Sequence, residues 1–414
     1  MKVILFIICA KEHVMNTQQQ ENKYLMKTYK RYNVSVKKSK GQYVWDENGK
    51  KYLDFFSGIS VCSFGHGNPA VISAIKKQLD LFVHCSNVYY SKPQVEVAKA
   101  LLDKSFKNGR VFLANTGAEA NEGAIKIARK WGSDHPLKDG TKRYEIIAFK
   151  SSFHGRTLAT LAATGQEKFH IPFKPLQQKF VFAEFNNIDS VKKLINKNTV
   201  AVMIELVQGE GGINIADKKF VKDLRKLCDD KNLLLICDEI QCGLARTGKT
   251  FAWQHYGIKP DIFTLAKAIA NGLPLGAVVA DKKVAEVFNY GDHGSTFGGN
   301  PVSCAAAVAT LKLITPKLLK DVTDKSKYFV KKLNELKKKF SCIKEVRSLG
   351  LLVGVELDFA GKDIVEFCIA KGLLINCTQG NVLRFLPPFV ITKKDIDKAI
   401  KILEDALKWQ TLKK

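Results

Sequence analysis

Between residues 110 and 281 the chain carries seven short apolar runs: RVFLANTG, YEIIAFK, FVFAEF, TVAVMIEL, NLLLICDE, DIFTLA and LGAVVAD. Stretches with helical spacing separate them. Runs of four to eight apolar residues suit strands buried on both faces, and parallel neighbours need a crossover long enough to hold a helix. The pattern therefore specifies an α/β fold: a large domain with a mostly parallel sheet between helices.

The flanks add a second, smaller α/β domain. From Gly41 the text GQYVWDENGKKYLDFFSG places two alternating segments around Asn48-Gly49, a hairpin signal. In HGNPAVISAIKKQLD, Val71, Ile72, Ile75 and Leu79 recur at helical spacing after Asn68-Pro69. Beyond Pro301 come a long helix-like stretch, the strand pattern VRSLGLLVGVEL and alternating signals to the end. The expected division is an N-terminal extension (1–27), the N-terminal part of the small domain (28–66), the large domain (67–305) and the C-terminal part of the small domain (306–414).

Met1–Ala10 has the basic start and apolar run of a secretory signal, but the run is short and Met15 and Met26 offer later starts. No stretch approaches the roughly 18 apolar residues of a spanning helix, so no membrane partner is expected. Lys plus Arg number 66 against 40 for Asp plus Glu, a net charge of +26. Nucleic acid, anionic membrane and acidic small molecules would all gain from such a field. The lysines are scattered, thickest in Lys331–Lys339 and Lys393–Lys401, with no RGG, zinc-finger or RNP pattern. Solvated helix faces account for that distribution, and no nucleic-acid partner is expected. Ten cysteines without a CxxC pair indicate neither a metal site nor a disulfide framework, and fit a reducing cytoplasm.

Three features carry chemistry. Asn115-Thr-Gly-Ala-Glu-Ala-Asn-Glu122 joins a strand to a helix, and its small residues would let N–H groups at the helix N-terminus approach a phosphate. An ordinary strand-to-helix turn reads the same way. Asp238 ends the apolar strand NLLLICDE, where open parallel sheets bind ligands; it is either an exposed helix cap or a buried carboxylate needing a cation such as a pyridinium nitrogen. Lys267, between Ala266 and Ala268, is expected to lose its hydration and become a neutral amine able to condense with an aldehyde. It lies 29 residues after Asp238 (267 − 238), about one βαβ unit, so both could end at one sheet edge. Together they fit pyridoxal 5′-phosphate (PLP): phosphate, ring nitrogen and aldehyde.

With these parts in place the chain resembles the fold-type I, class III (ω-amino acid) aminotransferases over about residues 28–405. The resemblance rests on TYKRYNVSV (28–36), NTGAEANEGAIKIARKW (115–131), SFHGRTLATLAATGQ (152–166), ELVQGEGG (205–212), CDEIQCGLARTGK (237–249), GDHGSTFGGNP (291–301) and LLINCTQGNVLRFLPPFVIT (373–392). It implies Gly117 and Ala118 at the phosphate, Phe153 on the cofactor ring, Asp238 at the ring nitrogen, Gln241 at the phenolic oxygen and Lys267 carrying the cofactor. It also implies a homodimer in which Thr296 reaches the partner's phosphate, with Ser295 beside it near substrate. For both hydroxyls an ST-turn is the alternative. Arginine suits bidentate carboxylate recognition. By resemblance Arg156 takes the remote carboxylate and Arg384 the α-carboxylate of glutamate, Arg384 pairing with Glu210 when an ω-amine occupies the site. A structural ion pair is the alternative for each arginine.

Tyr29 aligns with a substrate-side aromatic, and Ile59 stands where ornithine aminotransferases usually carry tyrosine, which favours an acylated nitrogen. Two departures are LARTG, where many relatives have glycine before the arginine, and IANG, where a glycine-richer run is common. The expected reaction transfers the δ-amino group of N2-acetyl-L-ornithine to 2-oxoglutarate, as in arginine biosynthesis. Ornithine, succinyl-ornithine, succinyl-diaminopimelate and 4-aminobutyrate are the alternative donors. An aminomutase, needing no external oxo acid, and a nucleic-acid-binding protein on an aminotransferase scaffold, indifferent to Lys267→Ala, are the more distant readings.

Overall fold

A computed structural model describes residues 16–413, so the apolar opening Met1–Ala10 lies outside the described residues. All seven runs are strands of one sheet, numbered here in chain order: β1 Gly109–Ala114, β2 Glu145–Phe149, β3 Phe180–Ala183, β4 Thr199–Glu205, β5 Leu234–Asp238, β6 Ile262–Leu265 and β7 Gly276–Asp281. Their order is β1-β7-β6-β5-β4-β2-β3. Every residue of β4 and β5 is buried, as expected of strands covered on both faces.

One expectation needs correction. LGAVVAD reads as a parallel strand, yet β7 is antiparallel to both β6 and β1. Only Ala266 to Leu275 separates it from β6, and those residues hold a single 3-10 turn, Lys267–Ala270. That is too short for a crossover helix, so the strand doubles back.

The crossovers fix where side chains emerge. Helix Lys218–Asp230 carries the chain from β4 to β5 and buries Phe220, Val221, Leu224 and Cys228. Helix Gly117–Asp134 follows β1 and buries Ala120, Ala124, Ile127 and Ala128, small residues that admit a close approach to the sheet. β4 and β5 are in register so that Glu205 lies beside Asp238, and Asp238 beside Thr264 of β6. The carboxyl edge of the sheet thus gathers polar residues from three strands.

Around this sheet sit two four-stranded ones and a short antiparallel pair, Val207–Gln208 with Asn214–Ile215. Val36–Lys40, Tyr43–Asp46 and Lys51–Asp54 form an antiparallel meander, its Asn48-Gly49 turn closed by the Asp46 carboxylate, which accepts from the N–H groups of Asn48 and Lys50. Leu373–Leu374 adds to it in parallel, beside Lys51–Asp54. The other sheet is ordered Ile343–Leu349, Leu352–Leu357, Val382–Phe385, Asn376–Thr378. The long helix expected after Pro301 is two helices, Pro301–Leu313 and Pro316–Lys339, meeting at 73°. Thr315 caps the second by accepting from Leu318 N–H. Residue 305, where the sequence division falls, is inside Pro301–Leu313, which packs on helices Pro69–Leu79 and Lys92–Lys104. Among the described residues no single helix is long and apolar enough to cross a membrane.

Helix Gly117–Asp134 ends in close contact with its surroundings. A Cβ at Gly132 would lie 2.1 Å from the Arg143 carbonyl oxygen and 2.7 Å from a Val200 methyl. Gly132→Ala is expected to lower unfolding free energy by about 1–3 kcal/mol, read as a fall in the denaturant midpoint.

Candidate active site

β5 delivers Asp238 to the carboxyl edge of the sheet, where it is 4% exposed. It is therefore a buried carboxylate and not a solvent-facing cap. Its oxygens accept from Asn121 Nδ2 (2.8 Å), from His154 Nδ1 (2.8 Å) and from Ile240 N–H (3.0 Å). Asn121 is oriented in turn by Thr264, whose hydroxyl donates to Asn121 Oδ1 (2.7 Å), and by the His154 carbonyl (2.7 Å). Neighbouring Glu205 accepts from Phe153 N–H at 2.9 Å. Burial, and then the charge of Asp238, push the Glu205 pKa well above the usual carboxylate range.

Lys267 opens the 3-10 turn after β6 with φ +43°, a left-handed value that breaks the strand direction of the backbone. Desolvation lowers its ammonium pKa, Arg384 adds to that, and Glu210, Asp238 and Glu205 oppose it. The lysine, the two strand-end carboxylates and the arginine are thus within electrostatic reach of one another. Arg384, on Val382–Phe385, is 1% exposed and donates to Glu210 Oε1 (2.5 Å), Gly209 O (3.1 Å), Gln241 Oε1 (3.1 Å) and Asn376 Oδ1 (3.1 Å). Burial would raise the Glu210 pKa, but Arg384 outweighs it and the carboxyl is held below its usual range.

Helix Gly117–Asp134 begins beside this cluster. Thr116 and Glu119 form a reciprocal capping box, and the N–H groups of Gly117 and Ala118 meet no acceptor among the described residues. Two free donors at a helix N-terminus are a ready anion site. Gly155 has φ +145°, and a Cβ there would lie 2.9 Å from the Ala118 Cβ, so glycine keeps this side open. Arg156 is exposed, lies over the Phe169 ring at 3.9 Å and Phe153 at 5.5 Å, and meets no carboxylate among the described residues.

A strained segment closes the cluster from the N-terminal side. Ser57, Gly58, Ile59 and Ser60 have φ of 51°, 62°, 61° and 66°, a left-handed turn in which three residues carry a Cβ. Such backbone costs roughly 1–2 kcal/mol per non-glycine residue. The turn packs against Lys267–Ala270.

A family model for aminotransferase class-III matches residues 24–407. The chain belongs to this aminotransferase family. It is 51% identical to acetylornithine aminotransferase of Methanocaldococcus jannaschii over 93% of this chain and 96% of that one. It is 50% identical to acetylornithine aminotransferase of Caldanaerobacter subterraneus, over 94% and 98%. Among solved structures it is similar to an ornithine aminotransferase from Toxoplasma gondii, crystallized with oxidized glutathione and showing partial occupancy of PLP at its active site: TM-score 0.89, 34% identity, 94% of this chain and 92% of that one.

Not every residue singled out in the sequence joins the aminotransferase cluster within this chain. Tyr29 is 75% exposed, touched by Arg31 at 5.3 Å. Ser295 Oγ accepts from Gly298 N–H (2.9 Å) and Asn115 Nδ2 (3.0 Å), the ST-turn arrangement, and Thr296 is exposed beside His84–Asn87. Conversely, His154, Asn121 and Glu205 carry the geometry but were not singled out. His154 sits between Phe153 and Gly155 in a motif already noted, and Asn121 comes one turn after Gly117. Their polarity at fully buried positions is the signal, and only the fold reveals burial.

Glu239, next to Asp238, is 1% exposed and accepts from the N–H groups of Ala252 and Trp253, both at 2.8 Å. Burial raises its pKa from 4.5 to about 7. A carboxyl whose folded pKa is raised favours the fold fully below its unfolded pKa and loses that advantage as pH rises through the folded value. Stability should therefore fall between about pH 4.5 and 7, by about 3 kcal/mol. Denaturant titrations across that window are expected to show a shallower slope for Glu239→Gln than for the wild type.

Proposed function

We propose that the chain is a PLP-dependent aminotransferase that passes the δ-amino group of N2-acetyl-L-ornithine to 2-oxoglutarate, yielding N-acetyl-L-glutamate 5-semialdehyde and L-glutamate. The observation that carries this reading is the desolvated Lys267 amine within reach of Asp238 and of the Arg384–Glu210 pair. Identity of about 50% to two acetylornithine aminotransferases supports the choice of donor.

The groups the chain leaves open fit the cofactor. Gly117 and Ala118 offer unmet N–H donors among the described residues for a phosphate, and Asp238, oriented by three donors, suits a protonated ring nitrogen. Phe153 would cover the ring, Gln241 would reach the phenolic oxygen, and Lys267 would hold the aldehyde carbon. When bound, PLP supplies an acceptor for the amino group and a ring that withdraws electrons. Lys267 Nζ, its pKa lowered chiefly by desolvation, is the group that would take the proton from the amine-bearing carbon and return it. His154 and Asn121 fix the Asp238 carboxylate, so that it would meet a ring nitrogen without reorganisation.

The two arginines stand in different states, which suits two unlike substrates. Arg156 is free of any carboxylate among the described residues and would bind the remote carboxylate of acetylornithine or glutamate. Arg384 is neutralised by Glu210, as an ω-amine without a nearby carboxylate requires; glutamate or 2-oxoglutarate would displace Glu210 and pair with it. Ile59, half-buried in the left-handed turn beside the Lys267 segment, presents an apolar surface that suits an acylated nitrogen.

The reading includes a homodimer in which Thr296 and Ser295 complete the partner's site. The exposed Leu81, Val83, Tyr89, Tyr90, Tyr290 and Phe297 support it, being an apolar stretch a lone subunit would leave in water. It also includes a small domain built from both chain ends, supported by the pairing of Leu373–Leu374 with Lys51–Asp54.

In assays with 2-oxoglutarate, acetylornithine is expected to give a higher kcat/KM than ornithine, 4-aminobutyrate or succinyl-diaminopimelate, and omission of the oxo acid to stop turnover. Preference for free ornithine would overturn the donor. Borohydride treatment with PLP should add cofactor mass to the peptide holding Lys267, and Lys267→Ala should abolish both labelling and turnover. Light scattering is expected to give twice 46.2 kDa, with Thr296→Ala weakening PLP binding about tenfold at unchanged mass.

A further inference from the structure

Arg246 heads the largest fully buried side chains, at 0% exposure, yet it pairs with no carboxylate among the described residues. Burial pulls its guanidinium down to about 9, with Asp54 the charge that opposes the shift. A buried cation without a partner is costly, and a chain retains one where the rigid donor fork meets fixed acceptors. Here the fork donates from Nε to Ser60 Oγ (2.9 Å), from Nη2 to Ser63 Oγ (2.6 Å), and from Nη1 to Leu351 O (3.0 Å) and Pro387 O (2.7 Å). Its Cζ lies 4.7 Å from the centroid of the Phe389 ring.

These acceptors belong to segments that wall the Lys267 cluster. Ser60 ends the left-handed turn Ser57–Ser60, which packs against Lys267–Ala270. Ser63 Oγ also donates to Ser60 O at 2.7 Å, so both serines bind the far end of the turn to the guanidinium. The near end is held by Asp54, which accepts from the N–H groups of Phe56 and Ser57, both at 2.8 Å. Pro387 lies three residues beyond Arg384 (387 − 384), and Ser57 Oγ donates to Leu386 O at 2.8 Å. Just past the Lys267 turn, Asn271 accepts from Phe64 N–H and donates to Gly65 O, both at 3.0 Å. The guanidinium therefore sits where the turn bearing Ile59, the strand bearing Arg384 and the loop leaving β5 are joined.

We propose that Arg246 is a positioning residue for transamination: its buried fork holds the strained turn Ser57–Ser60 against the Lys267 segment and keeps that turn in register with the strand carrying Arg384. The claim rests on the aminotransferase reading above. Left-handed backbone at Ser57, Ile59 and Ser60 relaxes unless neighbours over-determine it, and release of the turn moves Ile59 and loosens Arg384 together.

The test compares PLP-loaded wild type with Arg246→Lys, which keeps the charge and loses the fork, and with Ser63→Ala, which removes one acceptor and disturbs folding least. Hydrogen exchange of amides 57–61 should quicken at least tenfold in Arg246→Lys and severalfold in Ser63→Ala, with β4 and β5 unchanged. The kcat/KM for acetylornithine per PLP-loaded subunit should fall at least tenfold in Arg246→Lys, mostly through KM, with the visible absorbance of the loaded enzyme retained. Unchanged exchange, or unchanged kcat/KM in a loaded and folded variant, overturns the proposal; if Arg246→Lys does not fold, Ser63→Ala decides by the same two readouts. Wild type inactive toward every ω-amino donor would sink the functional reading instead, and exchange at 57–61 would still decide whether Arg246 holds the turn.

Discussion

A carboxylate buried at the end of an apolar strand governs the electrostatics of this molecule. Asp238 is tolerated there because three donors converge on it, from the helix after β1, from the SFHG stretch and from its own following backbone. Its charge then sets the state of its neighbours. Glu205, beside it on β4, has its pKa raised by burial and by that charge and anchors the Phe153 N–H, while Lys267 receives part of its counter-charge from Asp238 and still loses more to desolvation than it regains. His154 has one buried ring nitrogen, Nε2, without a partner among the described residues, while Nδ1 is committed to Asp238. The site is thus organised around one ion in a low-dielectric edge, where each contact is worth more than it would be in water.

The sheet was legible because its strands are apolar runs of the right length, and that signal depends only on local composition. The direction of β7 was not, because orientation is decided by the ten residues before it and by what they fold into. Lys267 and Asp238 could be found from their neighbours in sequence, each set in an apolar frame. His154, Asn121 and Arg246 could not, since what distinguishes them is burial beside residues far along the chain: Asn121 and Asp238 are 117 apart, Arg246 and Pro387 141. The loop details behave likewise. Ala245 in LARTG adopts φ +73°, and Asn271 in IANG adopts φ +45°. Both keep the left-handed shape that glycine would take freely, at the cost of strain.

The two arginines stand in contrasting surroundings. Arg384 is fixed by backbone and side-chain acceptors on several sides and pairs with Glu210, whereas Arg156 rests on an aromatic face and meets no carboxylate among the described residues. Under the proposed function the first would exchange its partner for a substrate carboxylate, and the second would meet one directly.

The parallel pairing of Leu373–Leu374 with Lys51–Asp54 has a bearing on biogenesis. As the polypeptide leaves the ribosome, the first meander stays with an open edge until some 320 further residues have been made (373 − 53), while the central sheet already possesses all seven members once position 281 has emerged. The nascent chain thus holds all the strands of its scaffold early and closes its rim last.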